Sequence, residues 1–168
     1  ISPMWGVMRN PRNNNVDRFL VNNNLVYKPI SGLTLAYRLG QDFTSSKYRR
    51  IITPGTPSST AFEGYVYENN GETKFLTSNL TATYDKKFLE DFRATLIVGG
   101  SSEYYDARNV SYEATGLLVS DIFSPNVVNR ANIVLTEGLS RRQRYAVFGD
   151  LKLDYKNILS LGVTGRND

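Results

Sequence analysis

The sequence predicts an all-β fold: antiparallel up-and-down strands that form part of a large transmembrane β-barrel, as an incomplete, open segment. Two patterns predict it. Apolar and polar residues alternate with period two in stretches of about ten residues, the length that a tilted membrane strand requires. Short turns and long polar stretches also alternate along the chain, as they do where all short turns lie on one side of a membrane and all long loops on the other. Heptad and 3.6-residue periodicities are poor, and no apolar run approaches the roughly 18 residues of a membrane-spanning helix. If such a chain crosses a bilayer, it does so as strands.

In order, the chain opens Ile1-Ser2-Pro3-Met4-Trp5, without the basic start, apolar core and small-residue cleavage site of a signal peptide. Arg18 to Lys28 is a weak strand, interrupted by Asn22-Asn23-Asn24, and Lys28-Pro29-Ile30-Ser31-Gly32 is a short turn with Pro and Gly. Gly32 to Phe43 places Leu33, Leu35, Tyr37, Leu39 and Phe43 on one face, against Thr34, Ala36, Arg38, Gly40 and Asp42. Leu76 to Asp85 sets Leu76, Leu80, Ala82 and Tyr84 against Thr77, Asn79, Thr81, Thr83 and Asp85. Lys86 to Asp91 is a second short link. Phe92 to Ser102 is a weaker strand, because Ile97 falls on its polar face, and Gly99-Gly100 reads as a bend rather than a phosphate loop. Arg144 to Tyr155 opposes Tyr145, Val147, Leu151, Leu153 and Tyr155 to Arg144, Asp150, Lys152 and Asp154; after a tight Lys156-Asn157 turn, Leu159, Leu161 and Val163 face away from Ser160, Thr164 and Arg166.

About six strands result, with a possible seventh near Val110 to Val119. The stretches Thr44 to Glu72 and Tyr105 to Leu139 are expected as long polar loops, carrying Thr53-Pro54-Gly55-Thr56-Pro57 and Ser124-Pro125-Asn126. Small closed barrels need at least about 8 strands, so the sheet is expected to be one segment of a longer wall; the ending Thr164-Gly165-Arg166-Asn167-Asp168, without a terminal aromatic, fits a truncated barrel. Tyr27, Tyr37, Phe43, Tyr84, Phe92, Tyr104, Tyr145 and Tyr155 lie near strand ends, where amphipathic rings suit a membrane–water boundary, although Tyr is also a good strand former.

Composition narrows the chemistry. The 168 residues are 40% hydrophobic and 12% aromatic, too rich for a disordered chain. A net charge of +4 is scattered rather than clustered, which sets nucleic acid aside. Histidine and cysteine are absent, so catalysis by Ser-His-Asp or Cys-His, disulfides, and zinc held by imidazole or thiolate are excluded. No catalytic residue, cofactor site or metal site is assigned.

Candidate contact residues fall into groups, each with an ordinary structural reading beside it. Arg38, Asp42, Asp85, Asp150, Lys152, Asp154 and Arg166 share the polar face and are expected to point into a lumen, where they touch a substrate or simply form wall salt bridges. Arg141, Arg142 and Arg144, where a loop re-enters a strand, are placed to meet lipopolysaccharide phosphates, or form a solvated strand entrance; Arg49-Arg50 is open to the same two readings. Glu90-Asp91 is an adjacent carboxylate pair of the kind that invites a hydrolase reading, but neighbouring strand residues point to opposite faces and this pair sits in a turn. Asn13-Asn14-Asn15, Asn22-Asn23-Asn24, Tyr65, Tyr67, Tyr104 and Tyr105 suit sugar binding by hydrogen bonds and ring stacking, or are loop and strand formers.

Several runs are similar to mid-barrel stretches of one family: Asn10-Pro11-Arg12-Asn13, Val16-Asp17-Arg18-Phe19-Leu20, Tyr84-Asp85-Lys86-Lys87-Phe88-Leu89, and Arg141-Arg142-Gln143-Arg144-Tyr145-Ala146-Val147-Phe148-Gly149 through to Asp168. In these the chain resembles the SusC/RagA-type TonB-dependent outer-membrane transporters of Bacteroidetes, over nearly its whole length. The resemblance implies a barrel of about 22 strands with an N-terminal plug. It also implies a SusD-like surface lipoprotein as partner, energy from a TonB complex, contact with outer-membrane lipid, and uptake of oligosaccharides or peptides. Residues 1–168 are then a partial barrel domain, with plug, signal peptide and remaining strands outside it. The rival reading is a soluble or surface-exposed all-β carbohydrate-binding or adhesin module, whose apolar face packs on a second sheet.

Overall fold

Segments rich in β-branched and aromatic residues pair their main chains into an antiparallel ladder, because each strand otherwise leaves a row of N–H and C=O groups unmatched. A computed structural model describes residues 3–57, 62–88, 90–119, 121–156 and 158–168. Among them are six strands: β1 (Arg12–Ile30), β2 (Leu33–Ile52), β3 (Tyr65–Lys87), β4 (Phe92–Thr115), β5 (Ile133–Tyr155) and β6 (Leu159–Asn167). They form one sheet in sequence order, the up-and-down antiparallel class that the alternation predicts. A helix, α1 (Pro3–Arg9), precedes β1, and two single-turn 3-10 helices, Pro125–Val127 and Arg130–Asn132, lie between β4 and β5. Ile1, Ser2, Leu89 and Asn157, which the sequence analysis named, lie outside the described residues.

The structure corrects the strand boundaries. Most of Thr44 to Glu72 and Tyr105 to Leu139 is strand rather than loop: the connections shrink to residues 53–64 and 116–132. Apolar alternation marks only a strand with one greasy face. These extensions have no period-two apolar face: most of their residues are half-buried or exposed, burial is confined to Ile51, Ile52, Val66 and Ala114 near the strand ends, and ladder bonds and strand-forming Tyr48, Tyr67, Tyr105 and Tyr112 hold the rest. No seventh strand starts at Val110, which lies inside β4; beyond it Leu117 makes only an isolated bridge with Val128. Asn22-Asn23-Asn24 does not interrupt β1, because at an edge strand the ladder needs only main-chain partners on one side. Helix α1 was not foreseen, since seven residues are too few to show a helical period.

The chain divides into two compact units that the strands share. The first consists of Ile1–Arg18, Phe43–Thr73 and Ala107–Ser140, and the second of Phe19–Asp42, Lys74–Asp106 and Arg141–Asp168. Both long connections belong to the first unit and all the short turns to the second, so the chain sorts its connections by parity as expected.

The first unit holds a small core where the long connections meet strand ends. Val66 and Ala114 are fully enclosed, with Ile51, Ile52, Thr53 and Val128 buried around them. Main-chain bonds knit the connections to one another: Gly116 N–H donates to Gly64 O (3.1 Å), Leu117 N–H to Glu63 O (3.0 Å) and Leu118 N–H to Val127 O (2.9 Å). Asn10, just after α1, accepts from Thr53 N–H at 2.9 Å, and the Thr53 hydroxyl donates to Arg9 O. The buried Thr53 is thereby matched at both its N–H and its hydroxyl, whereas Arg50 Nε and Asn69 Oδ1 in the same unit are buried without a partner.

The second unit has two unlike faces instead of a core. In the β5–β6 ladder Leu151 pairs with Val163, Leu153 with Leu161 and Tyr155 with Leu159, while Asp150 meets Thr164 and Asp154 meets Ser160. Directly paired residues share a face, so the apolar and polar sets separate as the alternation requires. Gly32 closes the β1–β2 turn at φ +86°, where a Cβ would strike the Asp85 carbonyl oxygen. Gly99 is not a bend but a close approach: a Cβ there would lie 2.5 Å from the Phe148 ring and 2.8 Å from Leu80 O.

Substituting Gly99→Val is expected to destabilise the folded protein by about 1–3 kcal/mol, as overpacking does. Phe148→Ala made on top of it should recover part of that loss, a non-additivity readable from urea unfolding midpoints in detergent micelles.

Candidate functional site

Alternation along the strands of the second unit brings side chains from consecutive strands onto one polar face. At its short-turn end Asp85 of β3 is gripped by Arg93 of β4. Arg93 Nε donates to both carboxylate oxygens at 3.1 Å, its Nη2 adds a third contact at 3.1 Å, and the Thr95 hydroxyl donates at 2.9 Å. Asp154 of β5 lies 3.2 Å from Lys152 Nζ and accepts from Ser160 of β6. Asp150 accepts from Thr164 at 2.9 Å, and Arg166 Nε contacts Asp168 at 2.7 Å.

Arg38 shares this face with Asn79, Thr81, Thr83, Ile97 and Phe148, around an open hollow of about 450 Å³. Asp42, next but one to Gly40 on β2, is not free either. Asp150, Lys152, Asp154 and Arg166 thus share a face through the β5–β6 ladder, and Asp85, Asp150 and Asp154 are each matched by a cation or a hydroxyl. Sequence reasoning missed Arg93, although its parity with Thr95 marked it as polar-face. It also missed Phe148, an apolar residue that the Gly99 gap admits onto this face.

Such a strip is nearly charge-neutral. Charge-assisted, forked Arg–carboxylate contacts hold the wall in register. At the short-turn end Asp85, Glu90, Asp91 and Asp154 line one open hollow of about 390 Å³ together with Lys87, Arg93 and Lys156. Glu90 and Asp91 sit in the β3–β4 turn, where Asp91 pairs with Lys156 at 3.4 Å and its carbonyl accepts from Lys156 N–H. Among the described residues no group of three or more acidic side chains is placed to hold a metal ion.

The opposite face is apolar and open. Leu161, Val163 and Val147 are 60%, 62% and 64% exposed, and Leu80, Leu96, Val98, Leu151 and Leu153 are exposed with them. Near the short turns Phe92 packs on Tyr155 with ring centroids 4.6 Å apart, and Ser78 donates to the Tyr37 hydroxyl at 3.2 Å.

The arginine trio does not form one cluster. Arg141 contacts Asp106 at 3.4 Å, and Asp106 also accepts from Tyr104; this group belongs to the apolar face by parity. Arg142 instead lies over the Tyr105 ring at 5.6 Å, and Arg144 lines a hollow with Ser101, Glu103, Arg166 and Asp168, both on the polar side. In the first unit Arg49 is committed to Glu68 (3.8 Å) and to Phe123 O (2.6 Å), while Arg50 stacks over Tyr65 at 5.7 Å. Tyr112 donates to Glu68 at 3.0 Å; burial first, and that bond second, hold its phenol above the ordinary range, so it remains a neutral donor. The aromatic and asparagine residues considered for sugar binding are divided: Asn13 to Asn15, Tyr65 and Tyr67 belong to the first unit, Asn22 to Asn24, Tyr104 and Tyr105 to the second.

No protein-family model matches the chain, and no curated protein does. Solved structures do. A chain of the RagAB peptide transporter matches 99% of this chain with a TM-score of 0.88 at 16% identity. Chains of the RagAB peptide importer match as well: in the "closed-closed" state over 100% at TM-score 0.83 and 18% identity, and in the "open-open" state over 99% at 0.88 and 16%. In each case the chain spans only 19% of the length of the structure it matches. What is shared at this identity is the fold: six consecutive up-and-down antiparallel strands, as in a segment of that barrel's wall.

Proposed function

We propose that this chain is part of the wall of an outer-membrane importer of the SusC/RagA type, with its apolar face on lipid and its polar face on an aqueous lumen. One observation carries the reading: a single sheet exposes a band of Leu, Val and aromatic residues on one side and a matched set of ions and hydroxyls on the other. A sandwich module would cover that band with a second sheet, and the described residues form only one, so the soluble binding-module reading is not favoured. The match to transporter chains, rather than to enzymes, supports a wall element without chemistry of its own.

On this reading Arg38, Asp42, Asp85, Asp150, Lys152, Asp154 and Arg166 line the lumen as salt-bridged wall. Of Arg141, Arg142 and Arg144, only Arg141 is retained as a lipopolysaccharide contact, since the other two lie on the polar side. The cargo is a peptide or an oligosaccharide; the peptide is favoured by what the matched structures are described as carrying. A SusD-like lipoprotein, a TonB complex and a plug are expected from the family resemblance, and lie in or act through parts of the protein beyond residues 1–168.

Residues 1–168 hold no native cysteine to compete with a label placed among them. Spin labels at Leu161→Cys and Ser160→Cys, in the protein reconstituted into vesicles, should differ: the first accessible to oxygen and shielded from a water-soluble nickel chelate, the second the reverse. Equal accessibility at both sites is incompatible with a lipid-facing wall. Leu151→Arg should cost about 2–4 kcal/mol of folding stability in bilayers, the cost of a cation near mid-membrane. Thr164→Arg, on the polar side, should cost no more than about 0.5 kcal/mol in the same unfolding measurement.

A further inference from the structure

In the first unit two arginines stand opposite each other where β1 begins and β2 ends. Ile51 N–H donates to Pro11 O at 3.1 Å, so in this antiparallel pair Arg12 directly faces Arg50. Residues one step beyond such a bonded pair exchange no ladder bonds, and their Cα atoms approach to about 4.5 Å. Like charges set directly opposite destabilise a sheet. Among the described residues no carboxylate pairs with either arginine. Arg50 instead lies over the Tyr65 ring at 5.7 Å, with its Nε buried and without a hydrogen-bond partner. Burial first, and the charge of Glu113 second, hold the Tyr65 phenol above its ordinary range, so the ring beside Arg50 is neutral.

Arg12 and Arg50 line one open hollow of about 690 Å³. Small-molecule sites occupy about 300–1,000 Å³. Val7 of α1, with Pro11, Ile51 and Ile52, gives the hollow an apolar side, and no acidic residue lines it. Its nearest acceptor is already engaged, since Asn10 Oδ1 accepts from Thr53 N–H at 2.9 Å. The hollow at the short-turn end is the reverse case: there Asp85, Glu90, Asp91 and Asp154 offset Lys87, Arg93 and Lys156.

We propose that this hollow binds a carboxylate carried on a small aliphatic body, as in an N-acylated aliphatic amino acid. A carboxylate supplies the counter-charge that the opposed arginines lack, and its two oxygens match the planar fork of a guanidinium. The aliphatic body then lies against Val7, Ile51 and Ile52, and removes apolar surface from water. A bare phosphate would meet the same two cations but gain nothing from that apolar side. Every lining residue belongs to the first unit, so the assignment does not depend on which face of the second unit meets lipid.

The probe is N-acetyl-leucine, titrated against the full chain in detergent micelles and followed by magnetisation transfer from the protein to its methyl protons. Saturable binding is expected, with N-acetyl-leucinamide, which lacks the charge, bound at least about tenfold more weakly. Arg12→Gln and Arg50→Gln should each weaken N-acetyl-leucine by about tenfold. Neither should lower the unfolding midpoint, because each relieves a repulsion. Arg12 is exposed, so its replacement tests the site even where Arg50→Gln disturbs the fold. Equal binding of acid and amide overturns the proposal, as does a titration that Arg12→Gln leaves unchanged. Displacement of the probe by inorganic phosphate at concentrations below the probe's own Kd overturns the carboxylate and aliphatic assignment.

Discussion

Strand pairing sends successive side chains to opposite faces, and every property of this chain that bears on function follows from keeping that alternation in register across neighbouring strands. A slip of one residue between β5 and β6 would set Asp150, Lys152 and Asp154 among Leu159, Leu161 and Val163. Register is defended from both sides: by Arg93 on Asp85 and Thr164 on Asp150 on the polar face, and by Phe92 on Tyr155 on the apolar one. The Gly32 turn and the Phe148 ring over Gly99 add steric stops.

The two units solve the burial problem differently. The first encloses Val66, Ala114, Ile51, Ile52 and Val128 where the long connections fold against strand ends, as a soluble protein would. The second encloses almost nothing, and leaves its apolar residues for something outside the chain to cover. On the polar face of this unit Asp85, Asp150 and Asp154 are each matched by a cation or a hydroxyl without being buried, which avoids the cost of desolvating an unpaired charge.

Charged residues were the least predictable part. Sequence spacing placed Arg38, Asp85, Asp150, Lys152, Asp154 and Arg166 on one face, and the β5–β6 ladder pairs Asp150 with Thr164 and Asp154 with Ser160. It did not reveal that Arg93 is the partner of Asp85, or that Asp106 engages Arg141, because which residue sits opposite which depends on turn length and register between strands. The run Arg141-Arg142-Gln143-Arg144 reads as one basic patch in sequence, but in a strand its members are divided between the two faces.

The sequence by itself determined the strand class, the apolar and polar faces of Gly32 to Phe43, Leu76 to Asp85 and Arg144 to Tyr155, and the alternation of short and long connections. Each of these is a local pattern written in side-chain polarity with period two. Only the tertiary structure decided how far the strands run, that α1 docks through Arg9 and Asn10 onto Thr53, and how cations and acids pair. Where a strand has no alternating apolar face, polarity carries no period, and main-chain pairing with a neighbour is what distinguishes strand from loop.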